Sequence, residues 1–387
     1  MKLSQRAKNI APSATLTIAA KAKELKAQGN PILSFSAGEP DFTSPRAACD
    51  AAIEAIKRGE THYTANSGII ELKKAVSGYY KTRFGLDYPT SEIIVTSGAK
   101  PLLYETLQVL VDPGDEVLLF APAWVSYVEQ INLAGGLAVS VGTSGSAFVP
   151  TRDEIEKNIT SGTTGMIINT PNNPTGAVYD ERTLRMLANV ALERGLWIIF
   201  DEIYERLVYG EAKHTNILNV APEIRDRVIL ANGVSKAYCM TGWRIGYALG
   251  PREVIMKVDD IQSHLTSNAS SIAQWASVGA INGAEADVER RRGEFEKRRD
   301  LIYGLVSGID SLHIQKPEGA FYVFIDVRDT PISDDIEFCQ RLLEERHVAV
   351  VPGAAFLAPG FLRMSYACSE ADIREGVSRL RVFVDSL

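Results

Sequence analysis

Gly233-Val234-Ser235-Lys236-Ala237-Tyr238-Cys239-Met240-Thr241-Gly242-Trp243-Arg244-Ile245-Gly246 is the segment on which the reading of this chain turns. It follows an apolar run, Val228–Ala231, with the length and composition of a buried strand. A lone lysine after a strand is ordinarily a surface charge. Here Arg244 stands downstream of Lys236 among small residues and glycines, which let backbone approach a ligand closely. An ammonium desolvated near other cations loses its proton readily and becomes nucleophilic. An arginine's planar fork grips two oxygens of an anion at once. The segment therefore suits a covalent lysine beside an anion clamp.

Working outward, four more runs have strand character: Ile93–Thr96, Val117–Phe120, Met166–Asn169 and Trp197–Phe200. They alternate with helical patterns, as in an α/β domain with a largely parallel sheet. They lead into Gly98-Ala99-Lys100, Trp124, Asn172-Asn173-Pro174 and Asp201 respectively. Ligands of open α/β sheets bind outside the carboxyl ends of the strands. Five polar or Gly-rich motifs at five strand ends predict one shared site. Taken singly, each motif has a plain structural explanation. Asp201 can cap a helix, the Asn-Pro loop can be a turn, and Trp124 can fill a core.

The last third changes character. A charged helix is expected over Glu285–Val306, strands around Ala320–Ile325 and Val348–Val351, and a final helix from about Glu370. The Arg290–Arg292 and Lys297–Arg299 clusters are interleaved with Glu289, Glu294 and Glu296, which reads as a solvated helix face rather than a nucleic-acid surface. After Ser13 the Ala/Lys/Leu pattern predicts an amphipathic helix. At 387 residues the chain exceeds one hydrophobic core, so two domains are expected. A formal net charge of -7 offers no electrostatic footprint for nucleic acid or for an anionic membrane. The four cysteines form no CxxC pair and read as reduced, mostly buried thiols. The five histidines show no metal-ligand spacing, so no metal site is expected. Neither a signal peptide nor a spanning segment is evident. These features together point to a soluble cytoplasmic protein.

The Gly233–Gly246 segment, the Trp197-Ile198-Ile199-Phe200-Asp201-Glu202-Ile203-Tyr204 segment and the Asn169–Gly176 loop together resemble the class I aminotransferases, which use pyridoxal 5′-phosphate. The resemblance runs from Pro12-Ser13 to the final helix and is nearest the bacterial and archaeal subgroup of aspartate aminotransferases. It implies a fold type I architecture: a large domain with a mostly parallel seven-stranded sheet between helices, and a smaller α+β domain. The large domain would span residues 44–279, and the smaller one would join residues 1–43 to 280–387.

The same resemblance implies roles residue by residue. Lys236 would hold the cofactor covalently and move the proton at the reacting carbon. Asp201 would face the pyridine nitrogen and keep it protonated, making the ring a better electron sink. Tyr204 and Asn173 would bond the cofactor's phenolic oxygen, Asn173 also meeting the substrate carboxylate. Arg244, Ser235 and the backbone amides of Ala99 and Lys100 would hold the phosphate, with Trp124 stacked on the ring. Arg363 would grip the substrate α-carboxylate, the Gly38 backbone would touch the substrate, and the Lys100 side chain would read a second carboxylate. Tyr63 would reach the phosphate of a neighbouring subunit, which implies a homodimer with composite sites.

Two positions depart from relatives. Gly233 stands where some carry a phosphate-binding serine, so Ser235 replaces that bond or it is absent. Ala11 stands where members accepting prephenate carry a cation, which points away from prephenate. The expected reaction is ping-pong amino transfer from L-aspartate to 2-oxoglutarate. Aromatic or other neutral amino acids are the nearest alternative, and a lyase or decarboxylase on the same scaffold is another. A transcription regulator reusing the fold would carry an N-terminal helix-turn-helix extension; here the aminotransferase-like segment begins almost at Met1.

Overall fold

The computed structural model describes residues 1–387. Seven strands form the large sheet: β1 (Ile93–Thr96), β2 (Glu116–Ala121), β3 (Leu137–Gly142), β4 (Thr163–Asn169), β5 (Trp197–Asp201), β6 (Val228–Gly233) and β7 (Gly246–Leu249). Their order is β1-β7-β6-β5-β4-β2-β3. All neighbours are parallel except β7, which runs antiparallel to both β1 and β6. All five expected runs are strands. β3 is partly exposed, and β7 is buried but short, with Gly246 and Ala248 among its four residues, so neither stood out as an apolar run.

Period-two alternation divides the sheet between two cores. On β5, Ile198 and Phe200 join one cluster, while Ile199 joins the other. On β4, Met166 and Ile168 separate from Ile167 in the same way. Both faces are covered, which is why the strands read as continuous apolar runs. Asp201 continues the Trp197-Ile199 series, and that face also carries Trp124 and Tyr127. Alternation thus sets the side of the sheet on which the site is built.

A third core gathers Phe35, the segment after β5 (Ile203, Tyr204, Leu207, Tyr209) and residues from Phe295 to Phe383. Its four-stranded antiparallel sheet pairs Tyr322–Asp326 with Phe361–Ser365, flanked by Val351–Pro352 and His313–Ile314. The expected strand Val348–Val351 is divided. Val348–Ala349 pairs with Leu33–Ser34 in a separate parallel ladder, and the chain enters the antiparallel sheet only at Val351. The final helix, Glu370–Asp385, starts where the Ser369 side chain accepts the Asp372 amide.

Three expectations need correction. The Glu285–Val306 helix does form, but its arginine-rich face is not simply solvated: Arg291, Arg298 and Arg299 are buried. Each finds acceptors elsewhere in the chain. Arg291 donates to the carbonyls of Thr43 and Tyr238, Arg298 to Asp41, and Arg299 to the Pro317 carbonyl. Their long stems pack while their heads tie this helix to the Asp41–Thr43 strap, which charge counting does not register. The N-terminal helix, Ala14–Ala27, buries only Ala22. Its apolar stripe, including Ile18 and Leu25, instead faces a largely apolar cavity of about 620 Å³ against the helix Asp335–Arg346. Of the four free cysteines, Cys239 and Cys339 are buried while Cys49 and Cys368 are partly exposed. No helix is long and apolar enough to cross a membrane.

Candidate active site

A cavity of about 460 Å³ opens at the carboxyl ends of the large sheet, beside the third core. It is lined by Gly38, Ala99, Lys100, Trp124, Asn173, Asp201, Tyr204, Ser235, Lys236, Arg244 and Arg363. Of the residues singled out in the sequence, only Tyr63 lies elsewhere, 92% exposed on the surface. The volume is in the usual range for a small-molecule site.

Asp201 is buried at the end of β5. Its Oδ1 accepts the Ile203 amide at 3.1 Å and its Oδ2 accepts the Tyr127 hydroxyl at 2.7 Å. Burial pushes the carboxyl up to about 6, against the pull of those two hydrogen bonds. Asn169, ending the neighbouring β4, donates to the Asp201 carbonyl at 3.1 Å and accepts the Asn173 amide at 2.9 Å. The Asn-Pro loop is therefore latched to the strand end that carries Asp201.

Asn173 in turn accepts a hydrogen bond from Arg363 Nη1 at 2.9 Å, while Arg363 Nη2 donates to the Ser36 carbonyl at 2.6 Å. The guanidinium is buried, 4.4 Å over the Tyr322 ring, and its Nε has no partner. The residue lines the cavity with no carboxylate partner in the chain, and a buried cation so placed is suited to an anion. Lys236 Nζ donates to the Gly38 carbonyl at 2.6 Å. Burial, with the nearby Arg363 and Arg244 charges, lowers its pKa to about 8 despite the opposing pull of Glu39 and Asp201. That brings a neutral, nucleophilic amine within reach of ordinary pH.

The opposite end of the cavity is a cradle. Gly98 (φ 100°) precedes the helix Ala99–Leu110, whose first-turn amides have no intrahelical acceptor. A Cβ on Gly246 would lie 2.4 Å from the Ala99 nitrogen, and one on Gly98 would lie 2.4 Å from Arg244 Nη2. Glycine at both places lets the β7 strand, the helix start and the Arg244 guanidinium converge. Gly233 admits no side chain either, since its Cβ would meet the Ile245 carbonyl at 2.8 Å. The buried Ser235 is the hydroxyl that lines the cavity there. Trp124 meets Tyr127 edge-on at 5.3 Å, and Lys100 Nζ sits 4.9 Å over the Trp124 ring.

Three site residues had not been singled out. Tyr127 lies three positions after Trp124, in the first turn of the helix Ser126–Ala134 that Trp124 leads into, and its amide donates to the Trp124 carbonyl at 3.0 Å. Tyr322, whose hydroxyl is 2.8 Å from that of Tyr204, had none beyond belonging to an expected strand. Asn169 opens the Asn-Pro motif and holds it by both side-chain groups.

A lysine, a backbone-and-arginine anion cradle and a buried carboxylate at the carboxyl ends of this sheet fit pyridoxal 5′-phosphate. The Arg363 guanidinium, unpaired with any carboxylate of the chain, and the glycine-lined cradle fit an anionic substrate and the cofactor's phosphate. Together these features define a pyridoxal-phosphate-dependent transferase of fold type I. Residues 30–380 match the family described as aminotransferase class I and II, and the chain belongs to that family. It is a pyridoxal-phosphate-dependent aminotransferase. Similar proteins include the aspartate aminotransferase of Geobacillus stearothermophilus, 44% identical over all of both chains. The aspartate/prephenate aminotransferase of Thermus thermophilus is 42% identical over 97% of each. Among solved structures, the aspartate aminotransferase of Rhizobium meliloti superimposes with a TM-score of 0.96 at 41% identity, covering 100% of this chain and 99% of that one.

Proposed function

We propose that the chain transfers the amino group of L-aspartate to 2-oxoglutarate, giving oxaloacetate and L-glutamate by a ping-pong route. The observation that carries this reading is the pair of cations in one cavity: Arg363, which lines it without a carboxylate partner in the chain, and Lys100 over Trp124, with Lys236 lining the same space. A dicarboxylate offers one carboxylate to each cation. Whole-chain relatives, aspartate aminotransferases among them, support the same substrate class.

When bound, pyridoxal phosphate supplies an aldehyde that takes up the amino group and a ring that accepts the electrons released at the substrate Cα. This chain's residues do the rest. Ser235, Arg244 and the amides of Ala99 and Lys100 hold the phosphate. Trp124 covers one face of the ring, and Tyr204 and Asn173 bond the phenolic oxygen. Asp201 holds the proton at the ring nitrogen. Arg363 and Asn173, with the Gly38 backbone, would fix the α-carboxylate and so orient the substrate Cα. Lys236 would hold the cofactor and then act as the general base and acid that moves the proton released at the substrate Cα.

The proposed partition assigns residues 44–279 to the cofactor domain, and residues 1–43 with 280–387 to the smaller one. That the core of the large sheet also takes in Ala284 and Val288 supports a junction close to this division, near the start of the long helix. The exposure of Tyr63 supports its use in the site of a second copy, and hence a homodimer with composite sites. A cytoplasmic location accords with the free cysteines.

The test is a half-reaction screen: single amino acids are added to the loaded enzyme and the cofactor spectrum is followed. Aspartate and glutamate are expected to convert it far faster than phenylalanine or alanine. A faster conversion by phenylalanine would transfer the assignment to aromatic substrates.

A further inference from the structure

We propose that Tyr127 is a positioning residue that fixes the plane of the Asp201 carboxylate toward the ring nitrogen of the cofactor; the proposal rests on the assignment of Asp201 to that nitrogen. Asp201 has one donor on each oxygen: the Ile203 amide on Oδ1 at 3.1 Å and the Tyr127 hydroxyl on Oδ2 at 2.7 Å. A carboxylate held this way cannot turn about its Cβ–Cγ bond without losing a hydrogen bond. The amide belongs to Asp201's own turn and cannot set the rotation alone. The second anchor comes from a different element, the helix Ser126–Ala134.

Tyr127 is itself firmly placed. It is 2% exposed, its amide donates to the Trp124 carbonyl at 3.0 Å, and its ring meets Trp124 edge-on at 5.3 Å and 85°. One residue therefore ties together the aromatic group assigned to the face of the cofactor ring and the carboxylate assigned to its nitrogen. The hydroxyl also meets the desolvation cost of a buried carboxylate oxygen, which would otherwise be left unpaired. Tyr127→Phe removes this one contact and keeps the ring against Trp124.

The experiment reconstitutes the cofactor-free wild type, Tyr127→Phe, Asp201→Asn and the double variant. Each is titrated with pyridoxal phosphate and with its carbocyclic analogue, in which C–H replaces the ring nitrogen, and the Kd is read by absorbance. Wild type is expected to prefer pyridoxal phosphate, and Tyr127→Phe to reduce that preference about tenfold while leaving the Kd of the analogue within about twofold. In the Asp201→Asn background, Tyr127→Phe is expected to change the ratio by less than about twofold. In steady state, kcat should fall with the KM for aspartate unchanged, since Arg363 and Asn173 do not touch Tyr127. Equal weakening of both ligands, or an unchanged ratio, would overturn the proposal and leave Asp201's assignment standing. A wild type with no preference would remove that assignment and the proposal with it.

Discussion

Arg363 Nη1 donates to Asn173 Oδ1 at 2.9 Å, a bond between residues 190 positions apart that joins the small antiparallel sheet to the loop after β4. The proposed α-carboxylate clamp is thus assembled only where two separately packed cores meet. Arg363→Lys replaces a planar fork by a point charge, which can hold neither Asn173 and Ser36 together nor two carboxylate oxygens. The KM for aspartate and for 2-oxoglutarate should rise about 100-fold, with the visible spectrum of the bound cofactor little changed. A KM within about threefold of wild type in steady-state assays would count against the clamp.

Lys236 is proposed as the amine that meets both the cofactor and the Cα proton. Lys236→Ala should abolish turnover and remove the visible band of the covalently held cofactor, while pyridoxal phosphate still binds through Arg244 and the helix start. Absorption spectra with and without added methylamine check this. Retention of both the band and turnover would sink the assignment.

Lys100 is predicted to read the second carboxylate. Lys100→Ala should lower kcat/KM for aspartate about tenfold or more and leave phenylalanine within about threefold, since only aspartate loses a charge partner. Equal losses on the two substrates would show that Lys100 acts through its backbone or through packing on Trp124.

Glu105, in the helix Ala99–Leu110, is fully buried with both carboxylate oxygens unpartnered. Burial raises its pKa to about 7 from an ordinary 4.5. In that window the unfolded chain binds fewer protons at this site than the folded one, so its contribution to stability falls as pH rises from 4.5 to 7. Glu105→Gln cannot ionise and should be more stable than wild type at pH 8 by about 1–3 kcal/mol, the advantage vanishing below the unfolded value. Urea midpoints at fixed protein concentration measure the difference, and a pH-independent difference would contradict the ionisation account.

Much of the fold was legible because the strands are covered on both faces. β2, β4, β5 and β6 are unbroken apolar runs, and a polar residue at the end of such a run is conspicuous. β3, partly exposed, and β7, Gly-rich at its start, gave no such contrast. In the long charged helix, composition could not separate Arg290, which is exposed, from Arg291, which is buried beside the Thr43 carbonyl. The two differ only in where the helix face lands. Likewise, nothing local marks Tyr322 as the partner of Tyr204 and the platform beneath Arg363.

Sequence alone determined the chemistry of the parts. Lys236 and Arg244 share one segment, Asp201 and Tyr204 another, and Asn169 to Gly176 a third, because each is placed by a strand end and the turn that follows it. Tertiary structure alone decided how those parts meet. The Arg363–Asn173 bond, the Tyr127–Asp201 bond and the lowered pKa of Lys236 arise from through-space neighbours. Hydrogen bonding, burial and Coulomb interaction depend on distance in space, and spacing along the chain carries no measure of it.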